Sequence, residues 1–378
     1  MSKKKKQRMK RRMTPEERRK LRRKRRRKRI ALLTVEVIIL LVLCATAYGI
    51  FKLDKLDINI LDKDKLEAYR DTGPYTNIAL FGLDSREGEL DGGVQSDCIM
   101  IASINNETND VKLVSVYRDT LLQQADGTYE KANSAYNRGG PEEAISLLNR
   151  NFDLDIQNYV SVNFNALVDV IDSLGGIELD MTQEEAFYSN GYAFETAQVV
   201  GQEMKPIKEE AGTQLLDGVH AVGYARIRYT DGNDFKRTER QRVVLQKVAE
   251  KAKKANLLTL NEIVDKVFPQ ISTNLTLKDM MGFAANIMDY NIVQTGGFPY
   301  QVTTDESVRE HNGSYVVPIG LRSNVEQLHR ELFGEEAYVP SEKVQQINDE
   351  IIYLTDITEE TEALNTTFEG DVHDEGTQ

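Results

Sequence analysis

From Tyr75 onward, apolar and polar positions follow two different periods. The runs NIALFGL, DCIMIASI and DVKLVSVY are short, apolar and bounded by turn formers, which predicts three strands. NNETND, between the second and third, is a hairpin turn. YVSVNF and GIELD predict two further strands. Helical spacing marks PEEAISLLNRNF, NALVDVIDSLGG, LLDGVHAVGYA and DFKRTERQRVVLQKVAEKAKKAN; in the second of these Val168, Ile171 and Leu174 share a face, and Gly175-Gly176 stops it. Strands interleaved with helices predict an α/β layer fold with a mixed sheet.

One apolar run is of another kind. Ile30 to Phe51 is 22 residues with a single charge, Glu36. As a helix it measures about 33 Å, enough to cross a bilayer core. The net charge of -12 conceals a step at this point: residues 1–29 hold 19 Lys or Arg against two Glu, +17, which leaves -29 for the rest. Basic residues before the span place the arm in the cytoplasm and the large domain outside the cell membrane. A cleaved signal peptide is the competing reading. The arm itself suits anionic lipid beside the span; a nucleic-acid arm would need the same charges, but with no folded reader no specific nucleic acid is expected.

The expected organisation is therefore a basic cytoplasmic arm (1–29), a transmembrane helix (30–51), a polar stalk (52–74), an extracellular domain (75–340) and an acidic, largely disordered tail (341–378) holding one short helix candidate, SEKVQQINDEIIYLTDI. Only Cys98 lies beyond the span, so an intramolecular disulfide scaffold is excluded, and four scattered His give no zinc signature. No phosphate-binding loop of the G-x-x-x-x-G-K-[ST] type and no Ser/His/Asp or Cys/His nucleophile pattern occurs.

Charged residues gather at predicted strand ends. Asp84 and Arg86 follow the first strand, Asp97 opens the second, and Arg118 and Asp119 follow the third. An up-down-up arrangement brings all five to one sheet edge. Asp84 and Asp97 suit a hard cation; two solvated loop acids have the same spacing. In YARIRYTDGNDFKRTERQRVV, a helix starting near Asp234 puts Asp234, Arg237 and Gln241 on one face with Val244 and Val248, with Arg240 at its border and Arg242 pointing away. Arg226 and Arg228 alternate, so an extended segment sends both to one side. Convergent guanidinium groups fit phosphate. A salt-bridge network among Arg237, Arg240, Asp234 and Glu239 is the alternative.

These residues resemble the LytR-CpsA-Psr family of cell-wall glycopolymer transferases. NIALFGLDSR, SDCIMIASIN, KLVSVYRDT, KANSAYNRGGPEEAI, VNFNALVDVIDSLGGIELD and LLDGVHAVGYARIRYTDGNDFKRTERQRVVL occur in family order over about residues 75–260, with a weaker continuation to about 340. The resemblance implies a three-layer α/β/α domain with an apolar pocket for a polyprenyl tail. It implies Asp84 and Asp97 as ligands of Mg²⁺, or of Mn²⁺. Arg86, Arg118, Arg226, Arg228, Arg237 and Gln241 would hold a diphosphate. Asp84, Arg86, Asp97, Arg118 and Asp234 would form the catalytic set. Ile145, Leu148, Leu167 and Ile171 are candidates for the lipid pocket. The implied partners are a polyprenyl-diphosphate-linked glycopolymer, peptidoglycan and membrane lipid, in a Gram-positive cell membrane. The implied reaction is phosphoryl transfer to the C6 hydroxyl of N-acetylmuramic acid, with diphosphate hydrolysis as a side reaction. A lipid-binding scaffold without turnover and a membrane-bound transcriptional regulator are the rival readings.

Overall fold

The hairpin turn at Asn105–Asp110 sets the register of the whole sheet. In the computed structural model of the protein, which describes residues 56–83, 90, 93–230, 232–306, 308–309 and 313–366, β2 (Tyr75–Leu83), β3 (Ser96–Asn105) and β4 (Asp110–Val116) pair antiparallel. β1 (Asp57–Ile58), β7 (Asn158–Asn163), β10 (Ile271–Thr273) and β11 (Asn291–Phe298) complete a seven-stranded sheet in the order β1-β10-β7-β2-β3-β4-β11. β7 runs parallel to β2, and β11 parallel to β4. The sheet is thus mixed, and the ends of β2, β4, β7 and β11 share one edge with the start of β3.

Three two-stranded ribbons stand apart: β5 (Leu121–Gln123) with β6 (Tyr129–Lys131), β8 (Ile177–Met181) with β9 (Gly212–Leu216), and β12 (Val302–Asp305) with β13 (Tyr315–Pro318). GIELD is therefore a strand as expected, but it pairs outside the central sheet. The helices described are α1 (Ser134–Phe152), α2 (Phe164–Ser173), α3 (Gln183–Val200), α4 (Gly218–Arg226), α5 (Asn233–Ala252), α6 (Leu257–Val267), α7 (Leu277–Ala285), α8 (Leu321–Phe333) and α9 (Glu342–Thr355).

Alternation along the strands assigns the layers. Ala79, Phe81 and Leu83 of β2, Ile99 and Ile101 of β3, and Val114 and Val116 of β4 join one buried cluster with side chains of α1, α8 and α9. A second cluster joins α2, α4 and α5 around Ile171, Leu179, Leu216 and Val244. α3 and α4 cross closely at Gly223, where a Cβ would lie 2.7 Å from the Ala193 nitrogen.

Two expected boundaries move. The segment taken as a polar stalk belongs to the domain from Asp57 onward: Asp57–Ile58 pair with Ser272–Thr273, Leu66 is fully buried, and the Leu66 carbonyl accepts from Asn149 Nδ2 at 2.7 Å. The tail taken as largely disordered begins with α9, whose Val344, Ile347, Ile351 and Leu354 are buried in the main cluster. The short helix expected at SEKVQQINDEIIYLTDI is thus present, and it packs into the core. The basic arm, the expected span and residues 367–378 lie outside the described residues.

Candidate functional site

The site grows from the shared sheet edge. Asp97 and Arg118 continue the Ile99–Val116 pairing by two residues on each strand. Arg118 Nη1 donates to Asp97 Oδ1 at 2.7 Å. The backbone around Arg118 is tied down: its carbonyl accepts from Asn133 N at 3.0 Å, and the Asp119 carbonyl accepts from Val316 N at 2.9 Å. Asp119 itself pairs with Lys131 at 2.9 Å and lies 3.5 Å from Arg118 Nε.

The start of α5 is docked to the same edge. Phe235 meets Tyr117 edge-on at 4.6 Å between centroids. Gly297 makes room for that tyrosine, since a Cβ there would fall 2.2 Å from its hydroxyl. Asp234 thereby enters the cluster as a hub, 3.0 Å from Arg237 Nη2, 3.6 Å from Arg118 Nε and 3.9 Å from Arg228 Nε. Arg237 is 2% exposed, and its Nη2 also donates to the Asp97 carbonyl at 3.4 Å. Arg228 Nη2 reaches Asp97 Oδ2 at 3.4 Å. Arg226, at the end of α4, donates to Thr196 Oγ1 at 3.0 Å and lies 5.5 Å from the ring centroids of both Phe164 and Tyr192.

Arg226, Arg228, Arg237 and Gln241 line one cleft of about 210 Å³ with Asp97, Phe164, Tyr192 and Tyr229. Arg118, Arg228 and Arg237 share Asp97 and Asp234, and Arg226 has Glu195 at 3.5 Å. Burial lowers Arg237, with Arg118 and Arg228 adding to the shift against the pull of Asp234 and Asp97. Burial also acts on Arg118, but Asp234, Asp97 and Asp119 outweigh it and its net shift is upward. Arg237 is the cation that an incoming anion would relieve most.

Of the two expected cation ligands, Asp84 lies outside the described residues. Both Asp97 oxygens accept from arginines, and among the described residues no group of three His, Cys, Asp or Glu forms a cage.

The sequence profile of the LytR_cpsA_psr family matches residues 48–332, well over half of the 378-residue chain. The chain belongs to the LytR_cpsA_psr family. Its relatives include a Halalkalibacterium halodurans protein named polyisoprenyl-teichoic acid–peptidoglycan teichoic acid transferase TagU, 30% identical over 56% of this chain and 64% of the relative, slightly under two thirds of its length. An Oceanobacillus iheyensis protein of the same name is 29% identical over 62% of this chain and 73% of the relative. Among solved structures, Bacillus subtilis TagT superposes with a TM-score of 0.52 at 20% identity, over 71% of this chain and 94% of that one. An Enterococcus faecalis protein described as a transcriptional regulator superposes at 0.57 with 24% identity, over 79% and 99%. These two likenesses establish the fold.

Within this LytR_cpsA_psr chain, Asp97, Arg118, Asp234, Arg226, Arg228, Arg237 and Gln241 come together as the strand order and helical phase imply, while Asp84 and Arg86 lie outside the described residues. The four lipid-pocket candidates do not share a pocket. Ile145 and Leu148 of α1 are fully buried in the main cluster. Ile171 is buried in the second cluster, and Leu167 packs against the second and third. Periodicity finds a buried face but not the layer it faces. Arg242, expected to point away, has its Nε and Nη1 buried and its charge acts on the Cys98 thiol, which burial pushes up to about 12. The alternative network forms in part: Asp234 pairs with Arg237 at 3.0 Å, while Glu239 pairs with Lys236 at 2.8 Å and Arg240 with Glu185 at 2.9 Å. Sequence reasoning missed Phe164, Tyr192, Tyr229 and Thr196. Aromatics at positions 187, 188, 192 and 194 of α3 were the available signal.

Proposed function

We propose that this chain transfers a glycopolymer from a polyprenyl diphosphate carrier to peptidoglycan at the outer face of the cell membrane. The observation that carries this reading is the cleft on which Arg226, Arg228 and Arg237 converge. Planar guanidinium groups of this density match the oxygens of a diphosphate. The names of the TagU and TagT relatives supply the class of polymer and acceptor: a teichoic acid and peptidoglycan.

In the proposed reaction the C6 hydroxyl of N-acetylmuramic acid attacks the phosphorus that carries the sugar. A phosphodiester bond forms, the bond to the bridging oxygen of the diphosphate breaks, and polyprenyl phosphate leaves. The hydroxyl proton passes to a carboxylate of the Asp84, Asp97 and Asp234 set. Arg118, Arg228 and Arg237 hold the phosphoryl oxygens and neutralise the charge that develops there, with Arg86 assigned the same task. Asp84 and Asp97 would hold Mg²⁺ or Mn²⁺, which supplies further charge neutralisation when bound. Water in place of the acceptor turns the same chemistry into diphosphate hydrolysis.

The test is incubation of the full chain in detergent with radiolabelled prenyl-diphosphate saccharide, peptidoglycan fragments and Mg²⁺. Label in the peptidoglycan fraction, lost on chelation, is the expected result. Retention of the lipid with no transfer would establish the scaffold reading instead.

A further inference from the structure

Arg240 lies three residues after Arg237 on α5 and is likewise 2% exposed, but its partners are different. Its three nitrogens are spent on two segments, α3 and the 227–230 turn. Nε donates to Glu185 Oε1 at 2.9 Å, Nη1 to the Ile227 carbonyl at 3.2 Å, and Nη2 to Thr230 Oγ1 at 2.6 Å. Ile227 and Thr230 bracket Arg228 and Tyr229, two residues of the cleft. A carbonyl just past a helix end that is buried needs a donor, so the Ile227 bond restrains the turn.

Glu185 explains why Arg240 has one orientation. Its other oxygen, Oε2, accepts from Thr182 N at 2.9 Å and closes the capping box of α3. The same helix, further along, holds Arg226 through Tyr192, Glu195 and Thr196. α3 therefore backs both cleft arginines of the YARIR segment: Arg226 by direct contact, and Arg228 by way of Glu185 and Arg240.

We infer that Arg240, set by Glu185, is a positioning residue that fixes the 227–230 turn and so aims Arg228 at the anion in the cleft. A planar five-donor fork is needed, because a lysine could keep the Glu185 pair but not reach the Ile227 carbonyl and Thr230 together. A buried ion pair that only holds the fold together is the competing account, and it makes a different prediction about coupling. The inference rests on the cleft being the diphosphate site.

The test is a cycle on the full chain in detergent, with inorganic pyrophosphate as the probe and calorimetry as the readout, well below the unfolding temperature. Thr230→Val removes one turn bond and leaves the Arg240–Glu185 pair in place. It and Arg240→Lys should each weaken pyrophosphate binding, by about tenfold for a bond worth about 1.4 kcal/mol. In an Arg228→Ala background Thr230→Val should change affinity less than about twofold, because the group it aims has gone. An unchanged affinity for Thr230→Val, or the same tenfold loss with and without Arg228, overturns the positioning role. Failure of the wild-type chain to bind pyrophosphate overturns the diphosphate reading itself, and this inference with it.

Discussion

Two polar regions of this domain handle charge in opposite ways. Around the end of α1, charges are matched one by one. Arg150 is held by Glu67, by Ser146 Oγ at 2.8 Å and by the Gln123 carbonyl at 3.2 Å. Asp153 accepts from Tyr338 Oη at 2.6 Å and from Ser341 N and Oγ, both at 2.7 Å. His329 Nε2 donates to the Phe152 carbonyl at 2.9 Å, and its ring stacks on Tyr338 at 3.7 Å. At the sheet edge, by contrast, carboxylates are shared: Asp97 pairs with Arg118 and Arg228, and Asp234 lies against Arg237, Arg118 and Arg228. Desolvating a charge is tolerable when its partners are supplied by the chain itself. A concave site in which several guanidinium groups share few carboxylates is a candidate for an anionic ligand. The matched region holds the fold together, and the unmatched region is where binding is expected.

The severest test of the matched region is truncation. A chain ending at Pro340 loses Val344, Ile347, Ile351 and Leu354, at about 1.5–3 kcal/mol each. That sum is comparable with the whole stability of a typical domain. Circular dichroism should show no cooperative unfolding; a sharp transition like that of the full chain would mean that α9 is dispensable.

The unmatched region should respond in rate rather than stability. Arg118→Ala is expected to cut transfer by about 30-fold to several-thousand-fold, for a lost phosphate contact of about 2–5 kcal/mol. Its melting temperature should move by only a few degrees, and Arg118→Lys should recover part of the rate. Near-normal transfer by Arg118→Ala would remove the distinction between the two regions. The reverse pattern is expected of Arg150→Ala: a loss of about 2–4 kcal/mol in denaturant unfolding with normal transfer kinetics in the folded range.

A smaller effect sharpens the comparison through pH. Burial holds His329 below its ordinary value of 6.5, while its bonds to the Phe152 carbonyl and Glu335 pull the other way. The unfolded chain then binds a proton before the folded one does. Stability from this residue is complete above about 6.5 and falls as the pH drops through that value towards the lower folded one. Unfolding midpoints from pH 7.5 to 5 should therefore decline, and His329→Gln should flatten the decline. An unaltered slope would show that His329 is not the group responsible. The smallest effect belongs to Lys247→Ala. Lys247 is exposed and pairs with Glu250 at 3.4 Å, so neither rate nor stability should change beyond about 0.5 kcal/mol. Arg242 cannot serve as that control, since its guanidinium is partly buried beside Cys98.

Much of the site was legible because it depends on short-range order. Strand periodicity and one hairpin turn determine that Asp97 and Arg118 meet at an edge. A helical repeat determines that Asp234, Arg237 and Gln241 share a face. Both periods are local properties of the backbone, set by a few consecutive residues. The same logic reached its limit at Arg240. Its position at the border of that face was correct, but a long side chain can turn towards solvent or core, and the choice was made by Glu185, 55 positions away.

The first three strands, the helix that carries Asp234 and Arg237, the charge step and the family were legible in the sequence by itself. Only the tertiary structure decided that β8 leaves the central sheet for β9, that α1 and α2 bury their apolar faces in different clusters, and that segments resembling a stalk and a tail close the core around Leu66 and Ile351. The reason is physical. An apolar stripe states that it must be covered, and any complementary surface of the right size will cover it. Which surface does so is settled by the packing of the whole chain.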